Sequence, residues 1–212
     1  MSEKLSSKQL VGEAAATYVK SGMKLGLGTG STVHYFLEAL AGRIQKDALD
    51  VQGVCTSQET EKHAQRLGIS LITLDEAPHL DLCIDGADEV DNEFRLIKGG
   101  GGALLREKVV ASASEKVIII VGEGKYVETL GHNFLLPIEV LAFGYNQTMK
   151  YVASRAGCEP FLRTTEGGEP FVTDNGHYIL DCKFENGIPD PAEKHAVLSQ
   201  ITGVVEVGIF LN

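Results

Sequence analysis

The sequence has few of the residues that zinc sites, disulfide frameworks or nucleic-acid surfaces require. Its four cysteines are widely spaced and form no CxxC pair: Cys55, Cys83, Cys158 and Cys182. This spacing favours separate buried thiols in a reducing compartment. Basic residues are also scarce, since 19 Lys and Arg stand against 29 Asp and Glu, for a formal net charge of −10. Without a basic run, neither nucleic acid nor an anionic membrane is an expected partner.

Long hydrophobic runs are missing as well. The first ten residues, MSEKLSSKQL, lack the apolar core of a secretory signal, and the longest strongly apolar stretch, Val117–Val121, is too short to span a membrane. We therefore expect a soluble, cytoplasmic protein. Its 212 residues, 43% hydrophobic and 23% charged, suit one large globular domain, alone or with a small companion.

The first half of the chain has the pattern of alternating strands and helices. A capping box of Ser6 and Gln9 begins the first helix, and Gly22 is its expected end. Strand Lys24–Leu27 then enters a glycine-rich turn and a helix with apolar residues at helical spacing, Val33, Phe36, Leu37, Leu40 and Ile44. Further elements follow at Val51–Ser57, Gln58–Leu67, Ser70–Leu74, Leu80–Ile84, Phe94–Ile97, Leu104–Ala113 and the buried run Lys116–Val121. This alternation predicts an α/β fold with a Rossmann-like, mostly parallel sheet flanked by helices.

After Gly131 the pattern changes to that of a smaller α+β (ferredoxin-like) domain. Its predicted elements are strand Pro137–Leu141, helix Tyr145–Ala156, a hairpin turn at Asp174–Gly176, a helix capped by Asp190 with Pro191 and Glu193, and strand Val204–Phe210. The last strand is expected to return to the main sheet. The predicted domains are residues 1–131 with 204–212, and residues 132–203.

Glycine is the one residue type in excess, with 24 in the chain against a usual share of roughly 7%. The first group lies in the segment Gly26-Leu-Gly-Thr-Gly-Ser-Thr32, between a strand and a helix. Backbone N–H groups of such a turn can approach an anion, and the helix dipole adds attraction. The segment is not a P-loop, and it is a poor dinucleotide fingerprint because Ser31 occupies the third glycine position. Phosphate binding and a tight structural turn both remain open from this segment alone.

The second segment of interest is Asp85-Gly-Ala-Asp-Glu-Val-Asp91, which follows a hydrophobic strand. Its first carboxylates lie at the carboxyl end of that strand, the edge where ligands of open α/β sheets bind. The spacing does not fit an EF-hand calcium loop. Asp85 and Asp88 are the candidates for chemistry, whereas Glu89, Asp91 and Glu93 are expected in a solvated acidic loop.

The third segment is the most specific, Lys98-Gly-Gly-Gly-Gly-Ala-Leu-Leu-Arg-Glu-Lys108. Four consecutive glycines cost much conformational entropy to order, which favours a loop closely approached by a ligand over a plain linker. Lys98 could stabilise negative charge, and Glu107 in the following helix can project back over the loop. Arg106 and Lys108 are expected on a charged helix face.

In this order the three segments resemble one family, the type A ribose 5-phosphate isomerases. The resemblance rests on GTGST, DGADEVD and KGGGGALLREK, and it extends to VGEGK at 121–125, LPIEV at 136–140 and VTDNG at 172–176. It implies reversible conversion of ribose 5-phosphate to ribulose 5-phosphate in the pentose phosphate network, with no metal and no cofactor. It also implies a Rossmann-like sheet with a small α+β domain, assembled as a homodimer or homotetramer. Relatives usually continue beyond the last predicted strand, which bears on the edge of the main sheet rather than on the site.

The resemblance also implies a set of site residues. Glu107 would be the proton acceptor of a cis-enediol mechanism, with Lys98 stabilising negative charge and Asp85 and Asp88 assisting ring opening. The substrate site would be lined by Thr29, Gly30, Ser31, Thr32, Asp85, Gly86, Ala87, Asp88, Lys98, Gly99, Gly100 and Gly101. Lys125 would contact the substrate, and Lys8 would contact its phosphate.

Three other functions are compatible with parts of the pattern. One is a sugar-phosphate sensor without catalysis, although such regulators normally carry a helix-turn-helix module for which this chain has no basic helix. Another is a metal-dependent isomerase using carboxylates 85–93. A nucleotide-linked dehydrogenase fits least, because the glycine spacing is wrong and no ribose-binding acid follows the second strand.

Overall fold

A computed structural model describes residues 6–211 of the chain. Helices and strands alternate through the first half of these residues, and strands dominate the second. The helices are α1 Ser7–Ala16, α2 Ser31–Asp47, α3 Gln58–Arg66, α4 Leu104–Ser112, α5 Tyr145–Ala156 and α6 Pro191–Ser199. The strands are β1 Lys24–Leu27, β2 Gln52–Cys55, β3 Leu82–Asp85, β4 Glu89–Val90, β5 Leu96–Ile97, β6 Val117–Ile119, β7 Leu136–Val140, β8 Glu159–Leu162, β9 Tyr178–Lys183, β10 Val204–Val207 and β11 Ile209–Phe210.

The first of two compact units contains a parallel sheet with the strand order β2-β1-β3-β6. This unit runs to Gly86 and includes Arg106–Glu123. From β1 the chain passes to β2 on one side, and it then returns to β3 on the other side of β1. The carboxyl ends of β1 and β3 therefore form a topological switch point, where ligands of open α/β sheets bind.

Helix α2 supplies much of the core of this unit. Its apolar residues recur at helical spacing and are fully buried, namely Val33, Phe36, Leu37 and Leu40. Each such side chain contributes roughly 1.5–3 kcal/mol on burial. Helix α1 packs against α2 at Gly12, where an added Cβ would lie 2.7 Å from the Phe36 backbone nitrogen. The two helices thus approach at a distance that only glycine permits.

The second unit, Ala87–Leu105 and the chain from Gly124 onward, contains two antiparallel sheets. The larger has the order β10-β7-β9-β8 and the element sequence β7-α5-β8-β9-α6-β10, which is the ferredoxin-like arrangement. The smaller has the order β11-β5-β4. Both the fold class and the ferredoxin-like second part predicted from the sequence are confirmed.

Several local predictions are also confirmed. Strand β1 and helix α5 have the predicted bounds. The Ser6 hydroxyl oxygen accepts the Gln9 N–H at 3.3 Å. The Gln9 side-chain oxygen accepts the Ser6 N–H at 2.9 Å, which completes the capping box. Asp190 accepts the Glu193 N–H at 2.9 Å, and Pro191 begins α6.

Other local predictions are wrong. Helix α1 ends at Ala16 rather than near Gly22, because the N–H groups of Thr17, Tyr18 and Val19 bond carbonyls three residues back, which tightens the last turn. The predicted strand Ser70–Leu74 is reduced to one bridge, between Leu71 and Gly53. The run Lys116–Val121 was predicted to be a buried strand. It contains β6, which is an edge strand of the parallel sheet and is not fully buried.

The segment predicted as strand Phe94–Ile97 does not join the parallel sheet. Only Leu96 and Ile97 are extended, as β5, and they pair antiparallel with β4. Phe94 has a φ of +59° and is exposed, so it belongs to the tight turn between these two strands.

The last predicted strand, Val204–Phe210, breaks at Gly208 and does not return to the parallel sheet. Its first part, β10, pairs with β7, and its second part, β11, pairs with β5. Gly208 donates to the Pro137 carbonyl at 2.8 Å and accepts the Lys98 N–H at 2.9 Å. A Cβ at this position would lie 2.5 Å from the Lys98 carbonyl oxygen, so a side chain is excluded. The predicted domain ranges themselves stay a prediction.

No helix within residues 6–211 combines the length and the apolar character that crossing a membrane requires.

Candidate active site

The loop after β1 is shaped by the side chain of Asp85. Gly28 donates its N–H to the Ile84 carbonyl at 2.9 Å, and a Cβ at Gly28 would lie 2.6 Å from the Asp85 Cα. Gly30, the residue before α2, has a φ of +113°. The first glycine is thus required for space and the second for its backbone conformation.

Asp85, the last residue of β3, is 2% exposed at the switch point. Its Oδ1 accepts the N–H groups of Thr29 at 3.0 Å and Gly86 at 2.7 Å. Its backbone carbonyl accepts the Ile120 N–H at 2.8 Å. Asp85 lies at the carboxyl end of its strand, as the sequence predicted, and its buried carboxylate is fixed against the loop that follows β1.

A network of hydroxyl groups lies beneath this loop, and the sequence reasoning missed it. Thr29 Oγ1 lies 2.7 Å from Thr56 Oγ1 and donates to Ser57 Oγ at 2.9 Å. Thr60 Oγ1 in turn donates to the Gly28 carbonyl at 2.8 Å. Ser57 also caps α3, which is the only local signal for the network. Both the N–H and the hydroxyl of Thr29 are therefore engaged by residues of this unit.

Lys8 reaches the same loop from α1. Its Nζ donates to Ser31 Oγ at 2.7 Å, and its side chain also passes Gly122, where an added Cβ would lie 3.2 Å from the Lys8 Cγ. Ser31 is the first residue of α2, so a lysine charge and a helix N-terminus occur together. This combination attracts anions such as phosphate.

Glu107 lies in the first turn of α4 and is 4% exposed. A carboxylate is favourable near the N-terminus of a helix because of the helix dipole. One turn later, Val110 packs so closely on Gly26 of β1 that an added Cβ there would lie 2.7 Å from Val110 Cγ1. Arg106 and Lys108 are half-buried rather than fully solvated.

The second unit brings Asp88 to the loop of four glycines. Asp88 Oδ2 accepts the Gly100 N–H at 2.8 Å, and a Cβ on Gly100 would lie 2.7 Å from Asp88 Oδ1. Gly99 and Gly102 have φ values of +102° and +79°, and the Gly102 N–H donates to the Gly99 carbonyl at 2.9 Å. Close approach or positive φ accounts for Gly99, Gly100 and Gly102. The approach of a ligand to this loop stays a prediction.

Two lysines of the second unit are neighbours of this loop. Lys98 directly precedes it in the sequence, and Lys125 is near it in space. Lys98 is 3% exposed, and its Nζ lies 5.5 Å from the centre of the Phe210 ring. Lys125 Nζ lies 5.9 Å from the Phe134 ring. The same ring would meet a Cβ on Gly100 at 3.0 Å, so Lys125 and the glycine loop share Phe134 as a neighbour.

The predicted solvated loop after Asp88 is wrong for two of its three carboxylates. Glu89 is 2% exposed and accepts the N–H groups of Gly131 at 2.6 Å and Asn133 at 2.9 Å. Asp91 is 1% exposed and binds both the backbone and the guanidinium of Arg95. Backbone donors compensate the burial of these charges, so their role is structural. Glu93 is exposed, as predicted.

The motifs LPIEV and VTDNG meet in the second unit. Glu139 is fully buried, and its Oε1 accepts from Thr173 Oγ1 at 3.0 Å and Asn175 Nδ2 at 3.1 Å. His177 Nδ1 lies 2.9 Å from the same oxygen. These residues fix the turn before β9. Residues 171–173 form no strand, so the predicted hairpin is a turn only.

Cys55, the last residue of β2, is not placed to be a reactive thiolate. Burial raises the pKa of Cys55 to about 12, with Glu61 adding to the shift. All four cysteines are free thiols. Within residues 6–211, no group of three or more His, Cys, Asp or Glu side chains is placed to hold a metal ion.

Comparisons with known proteins agree with this arrangement. The family model of ribose 5-phosphate isomerase A (phosphoriboisomerase A) matches residues 52–212. Ribose-5-phosphate isomerase A of Bacillus mycoides (strain KBAB4) is 52% identical over 205 residues, which cover 97% of this chain and 91% of the relative. Ribose-5-phosphate isomerase A 1 of Oceanobacillus iheyensis is 48% identical over 212 residues, which cover 100% of this chain and 93% of that protein.

Solved structures give the same result. Ribose 5-phosphate isomerase from Plasmodium falciparum superimposes with a TM-score of 0.92 at 44% identity, covering 97% of this chain and 89% of that one. A D-ribose-5-phosphate isomerase in complex with phospho-erythronic acid also has a TM-score of 0.92, at 34% identity, covering 97% of this chain and 90% of that one. Sequence, fold and motif residues together show that this chain belongs to the ribose 5-phosphate isomerase A family.

Proposed function

We propose that this protein interconverts D-ribose 5-phosphate and D-ribulose 5-phosphate. Membership of an isomerase family supports the reaction. The observation that carries the proposal is the buried carboxylate of Glu107, which follows directly after the glycine loop and lies in the first turn of α4. A base for abstracting a proton from carbon must be held in a fixed position near the substrate, and a buried helical glutamate meets that need.

The phosphate of the substrate would bind at the start of α2. Gly30, Ser31 and Thr32 offer backbone N–H groups and hydroxyls there, and Lys8 adds a positive charge at Ser31. The family resemblance adds Lys125 to the substrate contacts. Local lysines of this kind allow a chain with a net charge of −10 to bind an anion.

Ring opening would precede isomerisation. We assign it to Asp85 with Asp88, because two backbone N–H groups fix Asp85 and one fixes Asp88, each next to a candidate loop. One carboxylate would accept the proton of the anomeric hydroxyl and deliver a proton to the ring oxygen as the bond between C1 and that oxygen breaks. Gly86 and Ala87, which lie between these two aspartates in the sequence, would line the sugar.

The chemical step would be a proton transfer through a cis-enediol. Glu107 removes the proton from C2 of the aldehyde, the C1 carbonyl oxygen gains negative charge, and the C1–C2 bond becomes double. A proton then passes from the C2 hydroxyl to the C1 oxygen, and Glu107 returns its proton to C1, which leaves a ketone at C2. Lys98 and N–H groups of Gly99–Gly101 would stabilise the enediolate oxygen. No step requires a metal ion.

The test is ribulose 5-phosphate formation in the presence of a chelator, for the unaltered chain and for Glu107→Gln. Removing a general base of this kind costs about 10²–10⁴-fold in kcat. Glu115→Gln is the control, since Glu115 is exposed just beyond α4. A folded Glu107→Gln variant that keeps most of the turnover would contradict the assigned base. Activity lost in chelator and restored by magnesium would contradict metal independence, and tight binding without turnover would indicate a sensor.

The oligomeric state proposed from the family resemblance is a homodimer or homotetramer. Sedimentation equilibrium over a range of concentrations measures it directly, and a monomer at micromolar concentration would contradict the proposal.

A further inference from the structure

One guanidinium group holds two carbonyls of the glycine loop. Arg163 Nη1 donates to the Gly99 oxygen at 3.1 Å and to the Gly100 oxygen at 3.0 Å. Arg163 directly follows β8, more than 60 residues further along the chain. A run of glycines has the largest conformational freedom of any sequence, so two charge-assisted bonds to its backbone restrict it strongly.

The guanidinium is itself fixed from the other side. Its Nε and Nη2 donate to the two carboxylate oxygens of Asp181 on β9, at 2.8 and 2.5 Å. Both side chains are mostly buried. The centre of the Phe171 ring lies 5.7 Å from the guanidinium, and a Cβ on Gly102 would lie 2.5 Å from the same ring. Arg163 therefore links the larger antiparallel sheet to the loop in a single orientation.

Each of the two bonded carbonyls shares a peptide group with an N–H that can donate a hydrogen bond in another direction. The Gly99 carbonyl shares its peptide group with the Gly100 N–H, which donates to Asp88. The Gly100 carbonyl shares its peptide group with the Gly101 N–H, for which residues 6–211 supply no acceptor. A positive charge at the oxygen end of a peptide group strengthens the N–H end as a donor, because successive hydrogen bonds polarise one another.

We propose that Arg163 is a positioning residue of the isomerase site, acting through these two peptide groups. It holds the Gly100 N–H on Asp88 and polarises the Gly101 N–H as a donor for the enediolate oxygen. The expected change in kcat rests on the proposed function. The loop geometry it requires can be measured without turnover.

A structural role alone predicts a different outcome. β8 and β9 are already joined by ladder hydrogen bonds at Glu159–Leu162, so the ion pair of Arg163 with Asp181 is not needed to pair them. If Arg163 only stabilised this hairpin, its removal would lower the melting temperature and leave kcat unchanged. If it positions the loop, kcat falls while the affinity for the phosphate group, bound elsewhere, changes little.

The experiment compares Arg163→Met, Arg163→Lys and the control Arg155→Met, an exposed arginine on α5 in the same unit. Arg163→Met is expected to lower kcat roughly 10- to 100-fold and to change KM by no more than about threefold. This loss of kcat is smaller than the loss caused by removing a direct oxyanion donor. Arg163→Lys should have a kcat less than about tenfold above that of Arg163→Met, because an ammonium cannot bond Asp181 and both carbonyls. Arg155→Met should match the unaltered chain.

Amide hydrogen exchange and ¹⁵N shifts of Gly99–Gly102 supply the readout independent of activity. Faster exchange and altered shifts in the Arg163 variants, with the kcat loss, would support the proposal. Unchanged loop amides, or a kcat above half of the unaltered value, would overturn it. Loop changes in a chain that never isomerises ribose 5-phosphate would reject the proposed function while retaining the hold on the loop. If Arg163→Met does not fold, Arg163→Lys carries the same comparison.

Discussion

The molecule contains two glycine-rich loops that look alike in sequence and are built differently. The first, residues 26–32, is held by Asp85 and by hydroxyl groups of its own unit. The second, residues 98–102, is held by charged side chains, Asp88 at an N–H and Arg163 at two carbonyls. A carboxylate holds an N–H group in both loops, but a carbonyl is held by a neutral hydroxyl in the first loop and two carbonyls are held by a guanidinium in the second.

Individual glycines of the two loops are required for different reasons. At Gly26 and Gly28 the backbone is ordinary and the space for a side chain is missing. At Gly99 and Gly102 the backbone itself is left-handed. Gly30 of the first loop also has a positive φ, and Gly100 of the second is limited by space alone, so substitutions separate the two costs position by position.

The largest effect is expected for Gly28→Ala. The new Cβ would meet the Asp85 Cα at 2.6 Å, so the backbone of β3 or of the loop must shift. The free energy of unfolding in urea should fall by about 3 kcal/mol, the upper range for overpacking, with loss of isomerase activity. Gly42→Ala on α2 is the control, since its position is open and the change should stabilise by about 0.5–1 kcal/mol. A loss at Gly28 below 0.5 kcal/mol, taken as roughly the size of ordinary surface effects, would contradict the close approach.

Gly102→Ala comes next and combines both costs. A left-handed backbone costs a non-glycine residue roughly 1–2 kcal/mol, and the Phe171 ring lies in the way of the Cβ. Repeating the substitution in Phe171→Leu should remove the steric part only, leaving about 1 kcal/mol. Gly168→Ala isolates the backbone part, because Gly168 has a φ of +83° and open space. Equal costs at both glycines would show that Phe171 imposes no constraint.

Thr29→Val tests the hydroxyl network of the first loop. The change keeps the shape but removes the group that bonds Thr56 and Ser57, so we expect a loss of about 1 kcal/mol in unfolding free energy. Thr29→Ser keeps the hydroxyl and should lose less than half of that. Thermal unfolding followed by calorimetry distinguishes the two, and equal losses would place the effect in packing instead.

The smallest effect is expected for Lys8→Met. Lys8 is partly solvated, so its charge contributes about 0.2–1 kcal/mol to phosphate binding and KM should rise up to about fivefold. The rise should shrink as salt is added, because exposed charges are screened. Lys46→Met, at the opposite end of α2, should leave KM unchanged. A KM that responds equally to both changes would indicate a general charge effect.

The first loop could be predicted from the sequence because its signals are local. A strand, closely spaced glycines and a helix cap follow one another between Lys24 and Ser31. The carboxylate at the end of β3 was predictable on the same ground. Arg163, Thr60 and the split at Gly208 were not, because each depends on a contact between residues far apart in the chain. Burial of Glu89 was missed since its donors, Gly131 and Asn133, lie beyond 40 residues away.

Gly208 has a consequence for the register of the second unit. Because β10 and β11 are one chain segment interrupted by a single residue, a slip of one position against β7 would displace the pairing with β5 as well. The Lys98 N–H bonds Gly208, so the same slip would move the lysine at the head of the glycine loop. The strand registers of the two sheets thus constrain each other, and Lys98 is correctly positioned only when both pairings are in register.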